Sequence, residues 1–166
     1  MTQFDLLIES IYPQSDSDEL AKKLAVWRFK SQKIVFTHGY FDALHKGHIE
    51  YLATAAELGD ILVVGIYTDS SASRIKGKRF ATIHDEYSRA MVLASLQFVG
   101  GVVFIENDPT STIEIIKPNV LVAGYEPKTL HGYDFVTQNG GSVVTIKTIN
   151  SENTPGLICS GNEMVS

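Results

Sequence analysis

Five short apolar runs punctuate this chain: Ile34-Val35-Phe36, Ile61-Leu62-Val63-Val64-Gly65-Ile66-Tyr67, Val102-Val103-Phe104-Ile105, Val120-Leu121-Val122-Ala123 and Val143-Val144-Thr145-Ile146. They are nearly continuous rather than alternating, which is the pattern of strands covered on both faces. They predict strands at 33–37, 61–67, 102–105, 120–123 and 143–146. Segments with helical spacing and caps lie between them. Ser15-Asp16-Ser17-Asp18-Glu19 offers N-caps for a helix to about Lys30, whose apolar stripe is Leu20, Leu24 and Trp27. Trp27 reads as core. A helix at 47–58 ends near Gly59, and another runs from Asp85 to about Gln97. Asn107-Asp108-Pro109-Thr110 caps a short helix through Ile116, which Lys117-Pro118 stops. A last helix lies between Asp134 and Gln138, before the turn Asn139-Gly140-Gly141.

Strands alternating with helices predict an α/β fold: a Rossmann-like parallel five-stranded sheet with helices on both faces. Residues 1–15 are weakly patterned and interrupted by Pro13, and they read as an N-terminal extension. The tail, 148–166, carries too little pattern for an element. The 166 residues fit one domain with a substantial core.

Composition narrows the classes. A net charge of −5 argues against a general nucleic-acid binder, which would present a basic face. It leaves room for a small anion held by a few focused basic groups. The single Cys159 cannot close an internal disulfide. No early run has signal-peptide form and none is long enough to span a bilayer, so a cytoplasmic protein without membrane partners is expected.

The chemistry concentrates where the first predicted strand hands over to a helix: Thr37-His38-Gly39-Tyr40-Phe41-Asp42-Ala43-Leu44-His45-Lys46-Gly47-His48. A helix N-terminus beyond a strand presents backbone N–H groups and a positive dipole end to an anion. His45 and His48 add two hydrogen-bond donors, and Gly47, lacking a Cβ, lets a ligand approach the backbone. A loop with two surface histidines, or a chance metal pair, would show the same bare spacing. Ligands in such sheets sit beyond the carboxyl ends of the strands, at the switch in strand order, and this loop leaves one such end.

The strand, Gly39-x-Phe41-Asp42, then His45-x-Gly47-His48 opening a helix resembles the signature of the cytidylyltransferase-like nucleotidyltransferases. Within that superfamily the chain looks like the heptose-1-phosphate adenylyltransferase domain of ADP-heptose synthases, and less closely like glycerol-3-phosphate cytidylyltransferase. The likeness covers about residues 18–158. It includes Lys33 to Thr37, Gly59-Asp60, Thr68-Asp69-Ser70, Arg74-Ile75-Lys76-Gly77, Arg89 and the segment from Gly132 to Gly141.

The resemblance implies that an acceptor phosphate attacks the α-phosphorus of a nucleoside triphosphate in line and pyrophosphate leaves. Catalysis of that kind is positioning and charge stabilisation. It assigns His45, His48 and Lys76 to catalysis, with Lys78 assisting. It assigns Thr37, Gly39, Tyr40, Phe41, Gly47, Arg89, Gly124, Tyr125, Glu126 and Thr154 to the nucleotide. Asp42 and Asp69 fall on the acceptor side. Several of these residues carry a structural alternative: Thr37 packed in the sheet, Asp42 fixing the loop, Asp69 in a cap or turn, Lys76 in a solvated basic segment. Arg89 lies in the first turns of its helix, where the dipole gives it nothing, which favours a ligand role. The resemblance further implies Mg²⁺ carried by the triphosphate, a phosphorylated sugar or polyol as acceptor, and a homodimer. No protein metal ligand is assigned.

The chain departs from the family pattern in three places. His38 stands where relatives have Asn, which alters the pocket floor with a larger, titratable group. Gly124-Tyr125-Glu126 replaces a Gly-Gly-Asp-Tyr type sequence. Asn153-Thr154-Pro155 replaces a Ser-Thr-Thr motif, keeping one hydroxyl and losing one N–H to proline. Three readings follow: a nucleotidyltransferase, with ATP preferred over CTP; a non-catalytic nucleotide-binding module; and a His-x-x-His metal protein, for which His38, His84 and His131 are too scattered to complete a ligand set.

Overall fold

The computed structural model describes residues 1–77, 81–124 and 130–147, and the backbone of 158–159. Six strands run parallel: β1 (Ile11–Tyr12), β2 (Ile34–Gly39), β3 (Ile61–Tyr67), β4 (Gly101–Ile105), β5 (Val120–Ala123) and β6 (Ser142–Lys147). A two-residue β7 (Ile158–Cys159) pairs antiparallel with β6, and the sheet order is β1-β4-β3-β2-β5-β6-β7. The five predicted strands are all present. The difference from a five-stranded parallel sheet is β1, inside the segment that patterning leaves blank. It is only two residues long, too short for any period, and its place comes from tertiary pairing with Val102 and Val103.

The helices are α1 (Gln3–Ile8), α2 (Asp18–Phe29), α3 (Lys46–Ala56), α4 (Asp69–Lys76), α5 (Glu86–Ala94), α6 (Pro109–Ile116) and α7 (Tyr133–Gln138). Sequence patterning does not predict α1 or α4. Six residues show hardly more than one period of α1, which is held by a capping box between Thr2 and Asp5. In α4, only Ala72 and Ser71 are buried, so it has no apolar stripe to read.

Alternate residues of each strand face opposite cores. On one side Leu20, Leu24 and Trp27 of α2, Ile113 and Ile116 of α6 and Val136 of α7 pack on Ile34, Phe36, Val63, Leu121 and Val143. On the other, Leu52 and Ala55 of α3 and Ala90 and Leu93 of α5 pack on Val35, Leu62, Val64, Val120 and Val122. This double burial explains the unbroken apolar runs.

From β2 the chain winds towards β3 through α3 on one face. From β5 it winds towards β6 through α7 on the other. The connections therefore part between β2 and β5, and their carboxyl ends border the crevice where such sheets take ligands.

Candidate active site

The loop from Gly39 to His45 leaves β2 at this crevice. Phe41 and Ala43 both adopt positive φ, 49° and 47°. Non-glycine residues hold that conformation only where their surroundings over-determine it. Here three anchors do so. The Phe41 ring is buried against the α3/α5 core and lies 6.0 Å from the His48 ring. The Asp42 carboxylate accepts the N–H of Ile83 at 2.6 Å and of His84 at 3.1 Å. The Tyr40 carbonyl accepts from Arg89 at 2.8 Å.

The loop delivers two imidazoles to the start of α3. His45 is its N-cap; its Nδ1 accepts from the Gly47 N–H at 3.0 Å, while the His45 N–H donates to His48 Nδ1 at 3.3 Å. With both Nδ1 atoms accepting, each neutral ring carries its proton on Nε2. The pair stacks with centroids 4.1 Å apart and presents two N–H donors. Burial, then the neighbouring charge of His45, pushes His48 below the ordinary histidine range, so at neutral pH it donates as a neutral imidazole. A Cβ at Gly47 would meet the capping His45 ring at 2.8 Å, so the ring keeps this position only beside glycine.

Lys76 lies at the end of α4, its Nζ 4.4 Å from the Tyr40 ring centroid, and Tyr40 stacks on Tyr67 at 4.9 Å. The structure thus brings the exposed Lys76 to the histidine loop. Gly39 is packed closely, with a Cβ there meeting Phe41 at 3.1 Å. Gly124 is exposed at the end of β5, and a Cβ there would meet only ordinary contacts, at 3.8 and 4.0 Å.

Several assignments are placed differently from the sequence expectation. Thr37 is fully buried; its hydroxyl donates to the Val122 carbonyl at 3.0 Å and pairs with the Tyr51 hydroxyl at 2.8 Å. It ties β2 to β5 and α3, the packed alternative, instead of facing a phosphate. Arg89 is 2 % exposed. Its guanidinium donates to the carbonyls of Tyr40, Tyr67 and His84 and to Asp69 Oδ1, at 2.8 to 3.1 Å. Its misfit with the helix dipole is explained by this clamp across the ends of β2 and β3.

Asp69 is likewise a scaffold. Besides Arg89, its carboxylate accepts from the Thr82 hydroxyl and the Glu86 N–H, and its own N–H donates to Glu86. Thr68, not Asp69, is the α4 N-cap. Asp42 follows its loop-fixing alternative. Burial raises its pKa, but the hydrogen bonds from Ile83 and His84 and the charge of Arg89 outweigh that and hold it below the ordinary carboxylate range. Lys78, Tyr125, Glu126 and Thr154 lie outside the described residues.

Sequence reasoning misses Tyr51, Tyr67, Ile83, Glu86 and Thr145 as neighbours of the crevice. Only Thr145 carries a signal, as a lone hydroxyl within an apolar run.

A doubly wound parallel sheet with paired imidazole donors at a helix N-terminus, beside the switch point, defines an α/β protein built to handle phosphoryl groups. Comparison with known proteins gives the family: the description Cytidylyltransferase-like matches residues 36–155, and the chain belongs to that family. It is 43% identical over 145 residues to Bifunctional protein HldE of Nitrobacter hamburgensis, an alignment covering 86% of this chain and 29% of that protein. It is 38% identical over 160 residues to Bifunctional protein HldE of Magnetococcus marinus, covering 92% and 33%. The chain therefore spans about a third of the length of these curated relatives. Among solved structures it is similar to a lipopolysaccharide core biosynthesis protein from Thermoplasma volcanium, with 29% identity, a TM-score of 0.59 and coverage of 73% of this chain and 99% of that one. A pantoate-beta-alanine ligase from Francisella tularensis shares the fold, with 18% identity, a TM-score of 0.54 and coverage of 85% and 67%.

Proposed function

We propose that this chain transfers a nucleoside monophosphate, AMP from ATP in preference to CMP from CTP, to a phosphorylated sugar of the heptose 1-phosphate type, releasing pyrophosphate. The observation that carries the reading is the His45–His48 pair, whose Nδ1 atoms are occupied by backbone N–H groups, so that each neutral ring keeps an Nε2–H donor at the start of α3. A phosphate oxygen of the acceptor attacks the α-phosphorus, the bond to the bridging oxygen breaks, and that oxygen leaves with the β- and γ-phosphates. Charge then gathers on phosphate oxygens, where preorganised donors act most strongly. His45 and His48 meet that charge, and Lys76 adds a cation from the β3 side. The protein supplies no nucleophile.

Family membership supports transfer to this extent. The preference for ATP and a sugar phosphate rests on the similarity to the HldE proteins. Among the described residues no group of three or more His, Cys, Asp or Glu is gathered to hold a metal. Mg²⁺ would be carried by the triphosphate oxygens, and would neutralise charge there.

Replacing His45 or His48 by Ala tests this reading. Each substitution should lower the rate of pyrophosphate release by about 10²-fold or more, while the variants keep the unfolding midpoint within a few degrees. Undiminished release from both variants would remove the histidine pair from the chemistry.

A further inference from the structure

Two buried polar atoms near the crevice have no hydrogen-bond partner: His38 Nε2 and Thr145 Oγ1. They are related by the sheet. Thr37 pairs with Val122 and Ala123 pairs with Thr145, so one step beyond the Thr37–Val122 pair places His38 beside Ala123. His38, Ala123 and Thr145 thus form one row across β2, β5 and β6. Its face is that of Phe36, Leu121 and Val143, the side of α6 and α7. On the other flank His38 pairs with Gly65. The row is polar at two points, with a methyl between them, and it crosses the switch point itself.

A buried donor or acceptor left unmade is costly, and native structures complete such groups with protein, water or ligand. His38 Nδ1 is engaged by the Tyr67 hydroxyl at 3.3 Å, with the two rings edge to face at 5.8 Å. When that hydroxyl donates to Nδ1, the proton of the neutral ring lies on Nε2, the orphaned atom. Two features say what completes the row. It offers no permanent cation: burial first, then the charge of His131, pushes His38 down to about 4, against a smaller opposing effect of Asp108. Asp108 is itself paired with His131 at 3.4 Å. Both orphaned atoms are enclosed, where an anion with no paired cation would be costly to bury, so the completing group is a neutral hydroxyl rather than a phosphate. Two strand spacings separate the backbones of His38 and Thr145, roughly 10 Å, so one hydroxyl cannot serve both, whereas a ring bearing hydroxyls on several carbons can.

We propose that His38 and Thr145 form a sugar-hydroxyl subsite at the switch point between β2 and β5, taking either the nucleotide ribose or the acceptor polyol. This deepens the transferase reading and rests on it for the identity of the sugar. It also gives His38, the residue that departs from the family pattern, a specificity role.

The test uses the whole chain and the ring resonances of its histidines, with His38 assigned by the His38→Asn variant. ATP, CTP, heptose 1-phosphate, glycerol 3-phosphate and inorganic phosphate are added separately. A saturable shift of the His38 Nε2 resonance with either nucleotide places the ribose in the subsite. A shift with the sugar or polyol phosphate alone places the acceptor there. In both cases Thr145→Val, which keeps the shape of the side chain, should weaken that ligand about tenfold or more. Movement of His45 and His48 with His38 unmoved overturns the subsite and leaves the transferase reading standing. An equal shift with inorganic phosphate overturns it as an anion site, and no shift with any ligand overturns it outright. Pyrophosphate release, measured in parallel, reports on the transferase reading separately.

Discussion

At the scale of single residues, the histidines of this chain divide by what holds their Nδ1 atoms. Backbone N–H groups hold His45 and His48, which leaves their Nε2 atoms as donors. The Tyr67 hydroxyl holds His38, whose Nε2 is enclosed. Enclosure makes His38 a stability determinant as well. Its pKa is 6.5 unfolded and about 4 folded. Above 6.5 both states are neutral and it contributes no pH dependence. As pH falls from 6.5 towards 4 the unfolded chain takes a proton that the folded chain refuses, so stability is lost across that window. The full effect below pH 4 is about 3 kcal/mol. Urea titrations at pH 7 and pH 5 should show wild type losing more stability than His38→Asn. Equal losses would mean that the ring titrates normally in the folded state.

At the scale of elements, the site depends on clamps that bind strand ends to helices. Arg89 reaches from α5 to the carbonyls ending β2 and β3 and to the first residue of α4; Asp42 and Asp69 fasten the segment from Thr82 to Glu86 over the same loop. A lysine offers one ammonium in place of a planar fork and leaves buried carbonyls unpaired. Arg89→Lys should therefore lower stability by about 2 to 4 kcal/mol without any nucleotide present, read as a lower urea midpoint. An unchanged midpoint with weaker nucleotide binding would instead make Arg89 a phosphate ligand. These clamps also mark the limit of what the sequence discloses. β2 to β6 are legible because burial on both faces leaves unbroken apolar runs, and the histidine loop because its residue types and spacing are specific. The partners of Thr37, Asp69 and Arg89 are not, because all of these bonds but the one from Arg89 to the His84 carbonyl join residues 13 to 85 positions apart. No local pattern distinguishes a buried arginine that clamps carbonyls from one that grips a phosphate. His38 and Thr145 stand out singly in the sequence, but only strand register sets them in one row.

At the scale of the whole molecule, the sheet carries the functional end and its edges are closed by small additions. β1 covers the edge of β4, with Tyr12 packed over Gly101, and β7 covers β6. Among the described residues no helix is long and apolar enough to cross a membrane. The described residues gather this chemistry at one end of the sheet: the histidine pair, Lys76 over Tyr40, exposed Gly124, and the enclosed row from His38 to Thr145. The chain matches about a third of the HldE proteins, and nucleotidyl transfer is the activity its crevice fits. The most direct measurement follows the α-phosphorus. The chain is incubated with Mg²⁺, heptose 1-phosphate and ATP labelled at that position. Label is expected in a nucleotide-sugar product, with one pyrophosphate released per transfer and less with CTP. ATP bound but left intact in the presence of heptose 1-phosphate, or label recovered only in ADP with orthophosphate released, would contradict it.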